Sequence, residues 1–149
     1  MKRTERAGIV RVADAAAATA EGAALVEALD GRRALLAYAP HADTFGYSMP
    51  PPGLLRLGGM LEREGFDVAL EDLAYRLAAG EVGGGARLAV SCAGRLLERG
   101  RFGVIGFSTM GATLPVSVAI AEVIHERAPG AKIVFGGPGI TGVDVALLE

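Results

Sequence analysis

Cysteine is almost missing from this sequence: Cys92 is the single thiol among 149 residues. One cysteine excludes an internal disulfide, and it also excludes a metal or iron–sulfur site built from several cysteines of this chain. Tryptophan is absent and aromatic residues make up only 5% of the chain, which leaves few side chains on which nucleic-acid bases could stack. The net charge of -2 and the lack of a basic run further exclude nucleic acid as the main partner.

Long apolar runs are missing as well. No stretch of ~20 apolar residues could span a bilayer, so we expect no membrane segment. Lys2 and Arg3 precede an alanine-rich run, as in a signal peptide, but Arg11 and Asp14 interrupt its apolar character. Because nothing in the composition requires an oxidising compartment, we expect a cytoplasmic protein.

The residues that are present suit a folded protein. Hydrophobic residues make up 51% and charged residues 21%, which is typical of a globular chain long enough for one domain with its own core. Alanine dominates the stretch from Ala13 to Leu29, which predicts a helix because alanine is the best helix former. We therefore divide the chain into an alanine-rich helical leader, residues 1–33, and an α/β domain, residues 34–149.

Four short apolar runs alternate with segments of helical periodicity along this domain. Such alternation is the pattern of a parallel sheet with helices on both faces, and right-handed crossovers favour a doubly wound fold. We predict a flavodoxin-like or Rossmann-like α/β fold with a mainly parallel sheet in the order 2-1-3-4. A fifth strand is expected beyond the fourth helix, so its absence indicates a fragment truncated at the C-terminus. The predicted strands are Ala34–Ala39, Asp67–Leu73, Phe102–Phe107 and Ala131–Phe135, and the last predicted helix is Asp144–Glu149.

Three loops are expected to meet where the first, third and fourth strands end. In an open parallel sheet the ligand crevice lies at this carboxyl edge, where the chain direction reverses between neighbouring strands. Glycines let a ligand approach backbone N–H groups closely, and the hydroxyls of Ser108, Thr109 and Thr113 can bond to polar ligand atoms. Each loop alone is better explained as a tight turn or strand end, but together they predict a ligand site. The loops are His41–Gly53, Ser108–Thr113 and Gly136–Gly139.

Familiar phosphate-binding motifs are absent. No Gly-x-x-x-x-Gly-Lys-Ser/Thr occurs, which excludes a P-loop. The loop after the first strand lacks Gly-x-Gly-x-x-Gly, which argues against a dinucleotide site, and no acid cluster marks a phosphoacceptor of the response-regulator kind.

Four stretches carry a family resemblance. Leu35–Pro40 and Pro52–Val68 come first, and Val104–Met110 and Ile133–Gly139 follow in the same order and spacing. From residue 34 to the end, they resemble the N-terminal cobalamin-binding domain of radical SAM enzymes. The resemblance implies a cobalamin that lies across the carboxyl edge of the sheet, with its nucleotide tail in a slot beside the strands. It also implies that the chain serves methyl transfer or rearrangement at unreactive carbon centres.

The resemblance assigns residues to this site. Ser108, Thr109, Gly136 and Gly137 are expected to line the slot, where small side chains leave it open, and the loop Thr44–Ser48 is expected to face the corrin ring. No catalytic residue and no metal ligand is expected in this chain. The full predicted set of cofactor-binding residues is Thr44, Phe45, Gly46, Tyr47, Ser48, Ser108, Thr109, Met110, Gly111, Thr113, Gly136, Gly137, Pro138 and Gly139.

The chain departs from the family pattern at two motifs. Cobalamin proteins with a lower histidine ligand carry Asp-x-His-x-x-Gly after the first strand. Here the loop begins at His41 with a different spacing, so His41 is not expected to bind cobalt. The Cys-x-x-x-Cys-x-x-Cys motif is absent, so S-adenosylmethionine and a [4Fe-4S] cluster belong to a radical SAM domain outside these residues. That domain is the expected partner, in cis or in trans, and this chain is not expected to be catalytic alone.

Two other functions stay open at this point. A domain of the same fold that has lost the cofactor, and binds a substrate or another protein chain, would have a filled crevice. A flavodoxin-like module would bind a flavin, although the edge loops hold few aromatic side chains. Away from the edge, we expect Cys92 to be a packed thiol and Arg95 and Arg99 to lie on a solvated helix face. Thr113 is the expected N-cap of the third helix, with Pro115 in its first turn.

Overall fold

A computed structural model describes residues 32–41 and 51–140 of the chain. The alanine-rich leader up to residue 31, the loop Thr44–Ser48 and the helix predicted at Asp144–Glu149 lie outside the described residues. Those expectations therefore stay predictions.

Strands and helices alternate through the described residues, as the periodicity predicts. A short 3₁₀ turn at Gly85–Arg87 precedes the third of the helices. The elements in chain order are β1 (Arg33–Tyr38), α1 (Pro52–Arg63), β2 (Asp67–Asp72), α2 (Leu73–Ala78), α3 (Leu88–Glu98), β3 (Val104–Ser108), α4 (Leu114–Arg127) and β4 (Lys132–Gly136).

The four strands form one sheet in the order β2-β1-β3-β4, and every neighbouring pair is parallel. The predicted strand order and fold class are therefore confirmed, and the observed strand ends differ from the predicted ones by no more than two residues. The register aligns the last residue of each strand: Tyr38 pairs with Asp72 on one side and with Ser108 on the other, and Ser108 pairs with Gly136. These strand ends form one row along the carboxyl edge of the sheet.

The two faces of the sheet are covered differently. Strand residues such as Leu35 and Ile105 share one hydrophobic core with α3 and α4, where Leu96 and Ile124 are fully buried. The other face receives α1, which packs against β2 and β1. A Cβ on Gly58 of α1 would lie 3.5 Å from a methyl carbon of Leu70, in ordinary van der Waals contact.

Residue Cys92 belongs to that core, as predicted. Its side chain is fully buried on α3. Burial raises the pKa of the thiol to about 11, so Cys92 is protonated at neutral pH and packs as a small apolar group.

The alternation of β2 predicts an exposed strand, and β2 does lie at an edge of the sheet. However, Glu71 in this strand is only 2% exposed. Its Oε1 lies 2.5 Å from Arg76 Nε and 3.5 Å from Arg95 Nε, and its Oε2 lies 3.1 Å from Arg99 Nη1. Arg95 and Arg99 keep 30% and 34% of their side-chain surface exposed, so they lie on a partly solvated helix face as predicted. Their contacts with a buried carboxylate on β2 were not predicted.

Candidate binding site at the carboxyl edge of the sheet

Two neighbouring strand ends leave space at the carboxyl edge. Among the described residues, a Cβ built on Gly136, at the end of β4, would meet no heavy atom within 4 Å. Ser108, its partner in the register, is half-buried, and its hydroxyl has no hydrogen-bond partner within the described part of the chain. An accessible hydroxyl beside an open backbone position is an arrangement that a ligand can use for both a hydrogen bond and close approach.

The loops after β3 and β4 are tied together behind this space by Thr109. The Thr109 N–H donates to the Gly136 carbonyl over 2.7 Å, and its hydroxyl donates to the same carbonyl over 2.9 Å. In return, the carbonyl of Thr109 accepts a hydrogen bond from the Gly139 N–H over 2.9 Å. Thr109 is fully buried, so its hydroxyl positions the two loops relative to each other.

Glycine is required twice in the loop after β4. Gly137 has a φ of +93°, and a Cβ there would lie 2.6 Å from the Thr109 carbonyl oxygen. A Cβ on Gly139 would lie 2.4 Å from the carbonyl carbon of Met110. Both distances are shorter than atoms tolerate, so these two glycines let protein backbone pack against protein backbone.

Residue Thr113 stands at the N-cap position of α4, with Pro115 in the first turn, as predicted. Its side chain, however, makes no capping hydrogen bond to the helix. The Thr113 hydroxyl instead accepts from the Met110 N–H over 2.9 Å and donates to the Met110 carbonyl over 3.2 Å. The hydroxyl thus closes the turn that leads into α4, because Thr113 has a helical φ and ψ rather than the extended backbone of a capping residue.

The predicted residues that the structure describes therefore have different surroundings. Thr109 and Thr113 are fully buried and their hydroxyls are bonded to backbone, whereas the Ser108 hydroxyl is available to a ligand. Met110, Gly111, Gly137 and Pro138 are exposed and form a rim around the space at Gly136. A Cβ on Gly111 would meet no atom of the described residues within 4 Å.

Two further residues at this edge were not predicted. The Tyr38 hydroxyl donates to the thioether sulfur of Met110 over 3.7 Å, a weak hydrogen bond. Burial, with a smaller contribution from the Asp72 carboxylate, raises the pKa of Tyr38, which keeps the phenol protonated. One step further into the sheet lies Gly106, where a Cβ would lie 3.0 Å from a methyl carbon of Leu36. Only the strand register, which the sequence does not state, brings these residues to the site.

The face that carries Ser108 is covered unevenly. On β1, Ala34 and Leu36 lie on the face of the sheet that α1 covers, and both are buried. On β3 and β4, the residues at the same levels are only partly buried. These partly exposed residues are Val104, Gly106, Ser108, Lys132, Val134 and Gly136. We call this strip the open half-face.

Other kinds of site find less support. Within residues 32–41 and 51–140, no group of three or more His, Cys, Asp or Glu side chains is placed to hold a metal ion. Among the same residues, none of the helices combines the length and the apolar character needed to cross a membrane.

Comparison with known proteins gives both a family and structural relatives. The family model of the B12 binding domain matches residues 39–149. Two structures of TsrM, a radical S-adenosylmethionine methyltransferase from Kitasatospora setae, resemble the chain. One, with tryptophan substrate and the SAM analogue aza-SAM bound, has a TM-score of 0.59 and 20% identity over 79% of this chain and 21% of that chain. The other, with cobalamin and a [4Fe-4S] cluster bound, has a TM-score of 0.56 and 19% identity over 79% of this chain and 20% of that chain. No curated protein sequence matches the chain.

These comparisons differ in what they establish. The TsrM structures share the fold, and the chain spans about a fifth of the length of those proteins. The family match covers residues 39–149, which include β2, β3, β4 and both loops that shape the carboxyl edge. The chain therefore belongs to the B12-binding domain family.

Proposed function

We propose that this domain holds cobalamin across the carboxyl edge of its sheet, with the nucleotide tail along the open half-face. The observation that carries the proposal is the space above Gly136 beside the available hydroxyl of Ser108. The surrounding glycines pack against backbone, so the opening at Gly136 is a local feature of the strand end and not a general looseness of the loop. A large flat ligand with a flexible tail fits an edge of this kind.

The residues of the proposed site have different roles. Ser108 donates or accepts a hydrogen bond directly, and Gly136 leaves room for the ligand beside it, whereas Gly106 lets the Leu36 side chain pack against the backbone of β3. Thr109, Thr113, Gly137 and Gly139 act through the backbone, by holding the loops that border the slot. Met110, Gly111 and Pro138 form its rim, and Thr44–Ser48 are proposed to face the corrin ring.

The two alternatives predicted from the sequence are less well supported. A cofactor-free domain would fill its crevice, whereas a Cβ on Gly136 would meet no heavy atom of the described residues within 4 Å. A flavin-binding module finds no aromatic platform at the described part of the edge, where Tyr38 is the one aromatic side chain in the row of strand ends.

We further propose that the domain serves a radical SAM enzyme that transfers methyl groups or rearranges carbon centres, in the cytoplasm. Bound cobalamin supplies the methyl-carrying or radical-stabilising cobalt chemistry. The iron–sulfur cluster needs three cysteines that these 149 residues do not contain, because Cys92 is the single cysteine. A catalytic domain with the Cys-x-x-x-Cys-x-x-Cys motif is therefore required, in the same polypeptide or as a separate chain.

Gel filtration with hydroxocobalamin tests the binding site. We expect corrinoid absorbance to elute with the protein, and we expect Gly136→Leu to abolish the co-elution by filling the slot. Gly130→Leu is the matched control: it lies just before β4, at the opposite edge of the sheet, and a Cβ there also meets nothing within 4 Å. Equal retention of the corrinoid by both variants would place the cofactor elsewhere, and no retention by the folded parent chain would refute the proposal.

A reconstitution tests the partner. The domain loaded with corrinoid is combined with the cysteine-motif domain encoded with it, and S-adenosylmethionine is supplied with a reductant. Methyl transfer or rearrangement is expected only when both are present. Full turnover by the partner without this chain would contradict the proposed role.

A further inference from the structure

An open groove of about 370 Å³ lies beside β2, on the far side of the sheet from β4. None of the described residues assigned to the proposed cobalamin site lines this groove. A volume of this size falls at the lower end of the range for small-molecule sites. The groove is lined by Pro51, Leu54, Leu55, Leu70, Glu71, Asp72, Tyr75 and Arg76.

One wall of the groove is apolar and accessible. Leu54 of α1 is nearly buried, but Leu55 is 53% exposed and Leu70 of β2 is 37% exposed. Covering such side chains with an apolar ligand group is favourable because it removes apolar surface from water.

The other end of the groove holds a carboxylate with unused bonding capacity. Asp72 Oδ1 accepts a hydrogen bond from the Tyr75 N–H over 3.0 Å. Asp72 Oδ2 is buried and has no hydrogen-bond partner within the described part of the chain. A buried carboxylate oxygen without a donor is unfavourable until a donor reaches it.

The neighbouring charges are already paired with one another. The Arg76 guanidinium lies 2.5 Å from Glu71 Oε1 and 2.7 Å from Glu81 Oε2, so two carboxylates offset its charge. Glu71 is further contacted by Arg95 and Arg99. Asp72, by contrast, forms no ion pair with any of the residues that the structure describes. The unmatched group in the groove is thus an acceptor with negative charge.

We propose that this groove binds a small organic cation, a primary ammonium carried on an apolar stem. The ammonium group pairs with the Asp72 carboxylate, and the stem packs against Leu55 and Leu70. A charge-assisted hydrogen bond of this kind is stronger than a neutral one. Because Asp72 pairs with Tyr38, which pairs with Ser108, the ammonium group lies about two strand spacings, ~10 Å, from Ser108 along the carboxyl edge.

Titration of the ¹⁵N-labelled chain with n-hexylammonium tests the proposal. We expect saturable shifts at amides around Leu55, Leu70 and Asp72, and weaker binding by about tenfold in Asp72→Asn. Asparagine caps helices as well as aspartate does, so this variant removes the charge while keeping the cap on α2. Asp67→Asn is the matched control, since it removes a carboxylate from the opposite end of β2 and should leave the affinity unchanged.

Two analogues of the probe separate the possible outcomes. With 1-hexanol, which lacks the charge, binding should be weaker than with n-hexylammonium and insensitive to Asp72→Asn. Equal binding of both probes by the parent chain would show an apolar groove with no role for Asp72, and would overturn the proposal. Tighter binding of hexanoate would also overturn it, because the groove would then select anions through Arg76. No saturable binding of n-hexylammonium would overturn it as well.

A second pair of variants covers the case in which Asp72→Asn fails to fold. Leu55→Lys places a competing ammonium group on the wall of the groove, and it should abolish the shifts. Leu57→Lys is its control, because Leu57 is 43% exposed on the same helix but does not line the groove. Retained cobalamin binding in Leu55→Lys would show that the two sites are independent. Unchanged n-hexylammonium binding in Leu55→Lys would contradict the inference.

Discussion

Strands β2 and β4 are both edges of the same sheet, yet their surroundings differ. In β2, Glu71 is buried and contacted by three arginines, and the opposite face of the strand is covered by α1. In β4, Gly136 ends the strand at a position where a Cβ would meet no atom of residues 32–41 and 51–140 within 4 Å. In β2 the protein's own side chains thus surround the buried Glu71, whereas β4 ends in a residue without a side chain where cobalamin is proposed to bind.

The same contrast recurs within the loop after β4. Gly137 and Gly139 lie against the backbone of Thr109 and Met110, while Gly136 faces open space. Neighbouring glycines therefore serve opposite purposes, because two permit close packing of backbone and one keeps room for something else. Three substitutions and one labelling experiment test this contrast.

The largest effect is expected when a methyl group is added to the glycines of this loop. Gly137→Ala forces a Cβ within 2.6 Å of the Thr109 oxygen at a φ of +93°. We expect the free energy of unfolding to fall by about 3 kcal/mol or more. Gly136→Ala should change it by less than ~0.5 kcal/mol. Urea unfolding of both variants measures the difference, and equal losses would show that Gly136 is packed as tightly as Gly137.

The next largest loss of stability is expected at β2, around the buried Glu71. Glu71→Ala leaves three guanidinium groups without their shared partner, and we expect a loss of about 3 kcal/mol, the low end for a broken buried pair. The loss is limited because Arg76, Arg95 and Arg99 keep 27%, 30% and 34% of their side-chain surface exposed, so water can solvate them. Urea unfolding is the measurement. Glu81→Ala is the control, since Glu81 is 41% exposed and should matter far less.

A smaller effect is expected from Thr109→Val. It removes the hydroxyl that donates to the Gly136 carbonyl over 2.9 Å, while the backbone N–H of residue 109 still satisfies that carbonyl. We expect a loss of about 1 kcal/mol in the free energy of unfolding, together with faster hydrogen exchange at the Gly139 amide. Ser117→Ala removes a comparable hydroxyl bond to the Thr113 carbonyl and serves as the control. If both variants exchange equally slowly at Gly139, Thr109 does not hold the two loops together.

The smallest effect on stability at neutral pH is expected from the ionisation of Cys92, which lies in the hydrophobic core. Its pKa of about 11 in the folded protein exceeds the ordinary value of ~8.5, so folding favours the protonated thiol. The resulting stabilisation is complete below pH ~8.5 and is lost as the pH rises towards 11. A thiol reagent at pH 8 should label the native protein slowly and the guanidinium-unfolded protein fully. Complete labelling of the native protein within minutes would show that the thiol is accessible.

Much of the fold follows from local pattern. The apolar runs that become β1, β3 and β4 are short and bounded by glycine, proline or small polar residues, and they predict the strands closely. The strand order follows from the alternation with helices and from the right-handedness of crossovers. The charged contacts of Arg95 and Arg99 could not be predicted, because they depend on which face of an edge strand Glu71 occupies.

The candidate site was predictable in composition but not in detail. Small residues after strands predict a ligand edge, and the family resemblance selects among ligands for it. The backbone hydrogen bonds of Thr109 and Thr113 could not be predicted from the sequence. A threonine hydroxyl in a loop can bond either to a ligand or to nearby backbone, and the surrounding sequence does not distinguish the two. Tyr38 and Gly106 were missed for a related reason, since their place in the site depends on register.

Local sequence pattern specifies which segments become strands, that the strands run parallel, and that small residues lie where three of them end. Those properties depend on contacts between residues close in the chain and on crossover geometry. The tertiary structure decided which small residue leaves space and which packs against backbone. That choice depends on atoms brought together from residues about 30 apart in the chain, such as Thr109 and Gly137, and a local pattern carries no information on such distances.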